Sequence, residues 1–161
     1  MNKVFVLNAS PIILLGKAGL LTTISPLAES WIVPEGVVAE VEAKRPIDSY
    51  LCELAGRSSV SRESVEAINP LIAAWDLGRG ESEVLTMAMH KPGARVVLDD
   101  LQARKCAALF RLPLIGSLGL LVMAKRTGHI REAKPALESL IKAGLHLDRA
   151  MLDRIYKKIG E

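Results

Sequence analysis

The sequence predicts an α/β fold: a parallel sheet covered by helices on both faces. Two observations carry this. Short, nearly continuous apolar runs recur at Val4-Phe5-Val6-Leu7, Trp31-Ile32-Val33 and Val96-Val97-Leu98. Runs without polar alternation suit strands that are covered on both sides. Between them lie segments with helical apolar spacing, and such alternation builds crossover units. The first run ends abruptly at Asn8 and the third at Asp99-Asp100, where open α/β sheets gather ligand groups. Asn8 is therefore read as the floor of the functional site.

Each element follows in order. Ser10 is placed to cap the first helix and Pro11 to open it. That helix runs over residues 12–21, apolar nearly all round, with Lys17 its sole charge. Gly16 and Gly19 loosen its end. A short helix over 25–30 precedes the second strand. Pro34 opens a helix through Glu42 on which Val37 and Val41 share a face. A helix over 47–55, a third strand over 65–68 and a turn of helix over 71–77 follow. Gly78-Arg79-Gly80 reads as a loop. Glu81-Ser82-Glu83 begins a strong helix, since glutamates in a first turn complement the helix dipole. The fourth strand, 95–98, leads to a helix over 101–109. A fifth strand at 113–115 ends at Gly116-Ser117, before an apolar core helix to Lys125. Two amphipathic helices, 135–143 and 148–159, follow. No repeat, low-complexity tract or linker interrupts the pattern, so one domain over 1–161 is expected.

Composition bounds the function. Half of the 161 residues are hydrophobic, which supports a compact core rather than disorder. The net charge of +3 permits a polyanionic partner without requiring one. Cys52 and Cys106 lack metal-ligand spacing, which suits reduced thiols in the cytoplasm. The apolar N-terminus reads as strand and helix, not as an export signal. The uncharged stretch over 112–124 falls well short of the ~20 residues that span a bilayer, so no membrane association is expected. Aromatics make up only 4% of the chain, too few for base-stacking platforms.

The familiar catalytic motifs are missing. There is no GxGxxG, GxxxxGK[ST], HExxH or GxSxG, and His90, His129 and His146 are scattered. A phosphoacceptor role for Asp99 or Asp100 would want a Lys after the fifth strand, where the chain reads Ile115-Gly116-Ser117. What remains is acidic: Glu40, Glu81, Glu83, Asp99 and Asp100 all fall near helix starts or strand ends. Taken singly, Asp100 reads as a helix cap and the glutamates as dipole partners or solvated face. Taken together, they converge on one sheet edge. Carboxylates without His or Cys suit hard cations, Mg²⁺ or Mn²⁺, above zinc.

That arrangement resembles the PIN-domain family, in its PIN-like subgroup of unknown function. Val6-Leu7-Asn8-Ala9-Ser10-Pro11 is similar to the first motif and Pro34 to Val41, with Glu40 in the acidic position, to the second. Gly80-Glu81-Ser82-Glu83 resembles the third, Val97-Leu98-Asp99-Asp100 with Ala103-Arg104 the fourth, and Ile115 to Gly119 the segment that follows. The resemblance implies a three-layer α/β/α sandwich with a parallel sheet ordered 3-2-1-4-5. Strands one and four then adjoin, and Asn8 faces the Asp99-Asp100 pair.

It also implies a metal-dependent endoribonuclease, many such proteins being toxins of toxin–antitoxin pairs. Glu40 and Glu83, with Asp99 or Asp100, would hold Mg²⁺ or Mn²⁺, and Glu81 competes with Glu83 for the third position. Asn8, Glu40, Glu83 and Asp100 form the expected catalytic set. Ser10, Arg104, Lys105 and Ser117 would meet RNA. An antitoxin protein and a homodimer through the helices around 47–77 are the other implied partners. One departure matters: where the family pattern has Asp, this chain has Asn8. An amide oxygen ligates a hard cation but brings no charge and cannot act as a base. The alternative is therefore an inactive PIN-like module that binds RNA or a protein.

Overall fold

The computed structural model describes residues 3–161. Its centre is a five-stranded, wholly parallel sheet in the order β3-β2-β1-β4-β5, flanked by helices as an α/β/α sandwich. The strands are β1 (Val4–Leu7), β2 (Ser30–Pro34), β3 (Ser59–Glu63), β4 (Arg95–Val97) and β5 (Leu114–Ile115). The central strand β1 pairs Phe5 with Trp31 on one side and Leu7 with Val97 on the other. Its apolar run is continuous because both its faces are covered. Phe5 and Trp31 meet edge to face with ring centroids 5.1 Å apart, a favoured aromatic geometry. The Trp31 indole N–H donates to Ser25 O at 3.0 Å, so the buried ring leaves no polar atom orphaned.

The helices before β4 are α1 (Ala9–Lys17), α2 (Leu21–Ile24), α3 (Glu35–Glu42), α4 (Asp48–Leu54), α5 (Pro70–Ala73) and α6 (Arg79–Met89). Those after it are α7 (Leu101–Leu109), α8 (Ser117–Arg126), α9 (Lys134–Ala143) and α10 (Arg149–Ile159). Helix α6 lies across β1, β2 and β4 and packs along α3. Helix α8 packs on β5, α1, α2 and α9. Leu120, Leu121, Val122 and Ala124 of α8 are buried, as the apolar pattern requires. One apolar cluster extends from Phe5 in β1 to Ile159 in α10.

Four local expectations are corrected. The third strand is Ser59–Glu63, not 65–68. An edge strand pairs on one side only, as β3 does with β2, so it tolerates polar residues and carries no apolar run. Val65 and Ile68 pack against the core from the following loop instead. Residues 25–30 form a single 3₁₀ turn, Ser25–Leu27, and then enter β2. Arg79 and Gly80 belong to α6, with Gly78 as its N-cap. Finally, α1 begins at Ala9 with Asn8 as its N-cap, so Ser10 lies inside the first turn. The Asn8 side chain does not cap the helix; it is engaged elsewhere.

Candidate functional site

The carboxyl ends of β1 and β4 adjoin, and the Asn8 backbone N–H donates to Val97 O at 3.2 Å. This is the point where connections diverge to opposite sides of the sheet, the usual place for a crevice. Asn8 is 1% exposed. Its Nδ2 donates to Glu81 Oε1 at 3.3 Å, while its Oδ1 is buried with no hydrogen-bond partner among the described residues. An orphaned buried acceptor is costly and calls for a partner that the protein's own groups do not supply.

Gly80 shows where that ligand space lies. A Cβ on Gly80 would sit 2.9 Å from Glu40 Oε2 and 3.4 Å from Asn8 Oδ1. The two oxygens therefore flank one small space that only glycine leaves open. Glu40 comes from α3, Asn8 from the end of β1, and Gly80 with Glu81 from the first turn of α6. Burial, and then the neighbouring Glu81 charge, push the Glu40 carboxyl above its usual range, with Lys44 opposing. A raised carboxyl beside an orphaned amide oxygen lacks positive charge, and a hard cation would supply it. Asn8 and Glu40, with Glu81 at its back, fit Mg²⁺ or Mn²⁺. Among the described residues, no three His, Cys, Asp or Glu side chains converge as a ready-made metal cage. Asn8 stands in one corner where a carboxylate would complete such a group.

The second cluster lies one strand over. Asp99 Oδ1 accepts the Ser117 backbone N–H at 2.8 Å, and Oδ2 accepts Ser117 Oγ–H at 2.6 Å. Asp99 thus sits at the N-terminus of α8, where the dipole favours an anion. A Cβ on Gly116 would approach Arg104 Nη1 at 2.8 Å and Asp99 Oδ1 at 2.9 Å, so both groups crowd that glycine. Ser10, Asp99, Arg104 and Gly116 line one groove.

Two expected ligands have structural duties. Glu83 is 5% exposed. Its Oε1 accepts the Gly36 backbone N–H at 3.0 Å and its Oε2 pairs with Arg79 Nε at 2.6 Å. Oε1 pins α6 to the start of α3 and Oε2 is held by Arg79 within α6, so Glu81 rather than Glu83 joins Asn8 and Glu40. Asp100 Oδ2 accepts the Ala103 N–H at 2.9 Å and caps α7; its other oxygen makes no hydrogen bond among the described residues. Lys105 is exposed on α7, and Ser117, expected to meet substrate, is buried and held by Asp99.

Arg79, Gly36 and Gly80 are the positioning residues that sequence reasoning passed over. An arginine four residues before a glutamate on one helix was the available sign.

A family model described as a PIN domain matches residues 4–161. The chain belongs to the PIN-domain family, whose fold is nuclease-like and whose members generally depend on divalent metal. No curated protein matches the chain. Among the described residues, no helix is long and apolar enough to cross a membrane.

Proposed function

We propose that this single PIN domain is a divalent-metal-dependent endoribonuclease with a weakened cation site. The observation that carries the reading is the meeting of Asn8 Oδ1 and Glu40 Oε2 beside Gly80. Asn8, Glu40 and Glu81 would hold Mg²⁺ or Mn²⁺, with Asp99 and Asp100 adding negative potential from β4. The cation, when bound, supplies charge neutralisation and an acidified water for phosphodiester hydrolysis. Arg104, Ser10 and Lys105 would bind and orient the phosphate. Cytoplasmic RNA is the proposed substrate, the toxin position of a toxin–antitoxin pair is the proposed setting, and assembly as a homodimer is compatible with it.

A second reading rests on Asn8 itself. With an amide where the family pattern has an acid, the domain would bind RNA or a protein without turnover. One experiment separates the two: cleavage of a mixed RNA pool with Mn²⁺ by wild type, Asn8→Asp and Glu40→Gln, each with an EDTA control. Wild-type cleavage lost in Glu40→Gln supports the enzyme. Cleavage only in Asn8→Asp supports an intact fold disarmed at one atom. Silence in all three would sink the nuclease reading.

A further inference from the structure

Arg45 carries an unmet donor on the opposite flank of the candidate site from Arg104. Helix α3 follows β2 and α7 follows β4, and these two strands lie either side of β1. The Arg45 backbone N–H donates to Val41 O at 2.9 Å, so Arg45 lies just beyond α3, a little over one helical turn past Glu40. Its Nη1 donates to the Tyr50 hydroxyl oxygen at 2.7 Å. Its Nε is buried with no hydrogen-bond partner among the described residues. This is the counterpart of Asn8 Oδ1: an enclosed donor in want of an acceptor.

The guanidinium is held in place. Tyr50 of α4 packs its ring on α1, where a Cβ at Gly16 would stand 2.7 Å from Tyr50 Cζ. Pro46 follows Arg45 and restricts its backbone. With Nη1 engaged, the planar fork presents its Nε–Nη2 edge, which matches two oxygens of a phosphate or carboxylate. No carboxylate fills that role, since Arg45 makes no salt bridge among the described residues. Of the two acids three residues away, Glu42 accepts the Ile47 N–H at 3.0 Å and Asp48 acts on Arg62. Lys44 adjoins Arg45, and its charge reaches Glu40 and opposes the upward push on that carboxyl. Positive potential therefore runs from Arg45 toward the cation space.

We infer that the Nε–Nη2 edge of Arg45 grips a backbone phosphate of the RNA strand on the α3 flank of the cation space, with Lys44 between the two. Arg45 is then a substrate-binding residue and Tyr50 its positioning residue. The strand crosses the site from the α7 flank to the α3 flank and is held on both. Such a contact fixes the strand's position and reads no base, which agrees with a chain poor in aromatic residues. The inference rests on the RNA reading above and not on turnover.

The test is fluorescence anisotropy of the full chain with a labelled, mixed-sequence single-stranded RNA, in EDTA so that no metal-dependent cleavage intervenes. Arg45→Gln should weaken binding at least about tenfold, as loss of hydrogen bonds to a charged group does. The slope of log affinity against log salt should fall by about 0.7, the share of one phosphate on a single strand. Arg45→Lys keeps the charge without the fork, and Tyr50→Phe keeps the ring on Gly16 without the hydroxyl. Each should weaken binding a few-fold, and thermal melts check the fold. An Arg45→Gln variant with lowered Tm but an unchanged salt slope would overturn the inference, and so would a Tyr50→Phe variant that binds RNA as wild type does. RNA affinity that depends on Arg45 in a wild type unable to cleave would keep the inference and sink the nuclease reading. Cleavage by wild type with RNA affinity indifferent to Arg45 would do the opposite, and no RNA binding by wild type would overturn both.

Discussion

Asn8 Nδ2 donates to Glu81 Oε1 at 3.3 Å, joining the end of β1 to the first turn of α6 across 73 residues of sequence. The amide holds a carboxylate that an aspartate at the same position would repel. Asn8 therefore stabilises the cation-free site while it leaves one oxygen, Oδ1, turned toward Glu40. Asn8→Asp would remove that hydrogen bond and place a third acid among Glu40 and Glu81. The expected cost without cation is about 2 kcal/mol, or a fall in Tm of roughly 4–8 °C for a domain of this size. Saturating Mn²⁺ should return about 2–3 kcal/mol to the variant, as a ligand at about a hundred times its Kd does. Wild type should respond less. Differential scanning fluorimetry with and without Mn²⁺ reads both effects, and equal Mn²⁺ responses would refute the role given to Asn8.

Glu83 should separate stability from cation binding. Both its oxygens are engaged, by Gly36 N–H and by Arg79. Glu83→Ala strands a buried donor and releases α3 from α6, at a cost of about 2 kcal/mol after discounting the exposed Arg79 partner. Calorimetric titration of the folded variant should find Mn²⁺ affinity within about threefold of wild type. A loss of about a hundredfold would return Glu83 to the ligand set.

Gly80→Ala should do the reverse. In a helix, Ala is favoured over Gly by roughly 0.5–1 kcal/mol, so the fold should persist with Tm nearly unchanged. The new Cβ, however, would stand 2.9 Å from Glu40 Oε2 and 3.4 Å from Asn8 Oδ1. The half-buried Glu40 carboxyl must swing away. Cation affinity and any cleavage should fall at least about tenfold, a typical cost of disturbing groups that orient a metal ligand. Retained Mn²⁺ affinity in Gly80→Ala would place the cation elsewhere.

What could be read from sequence follows from where each residue lies. The apolar runs of β1 and β4 announce themselves because central parallel strands are covered on both faces. The edge strand β3, Ser59–Glu63, is mostly polar and carries no such mark. The acids at 40, 81, 83, 99 and 100 were visible, but their duties depend on neighbours remote in sequence. Asp99 reaches Ser117, and Glu83 reaches Gly36. One distinction was available in advance: residues 81 and 83 are about 200° apart on a helix, so they cannot face the same ligand. The orphaned Asn8 oxygen and the space beside Gly80 emerge only when β1, α3 and α6 are assembled.

Two carboxyls shifted in opposite directions make the pH response specific. Glu161 accepts the N–H groups of Ala133 and Lys134 at 2.7 and 3.1 Å and pairs with Lys125 at 3.1 Å. These contacts, the Ala133 bond first, hold its carboxyl below the usual range. A lowered folded value contributes stability above the unfolded value, and that stability is lost as pH falls through the folded one. Glu161→Gln should therefore lower Tm at neutral pH, and the gap to wild type should close in acid, below the ordinary carboxylate range. Glu40 carries the other sign, because its folded carboxyl is raised by burial. Its charged form is penalised at neutral pH, so acidification through the raised value relieves strain in the cation-free protein. Glu40→Gln should raise the cation-free Tm at neutral pH, and that gain should vanish in acid. Scanning fluorimetry of both variants in EDTA across the acid range checks the pair. Parallel rather than opposite trends would contradict the assigned surroundings of the two carboxyls.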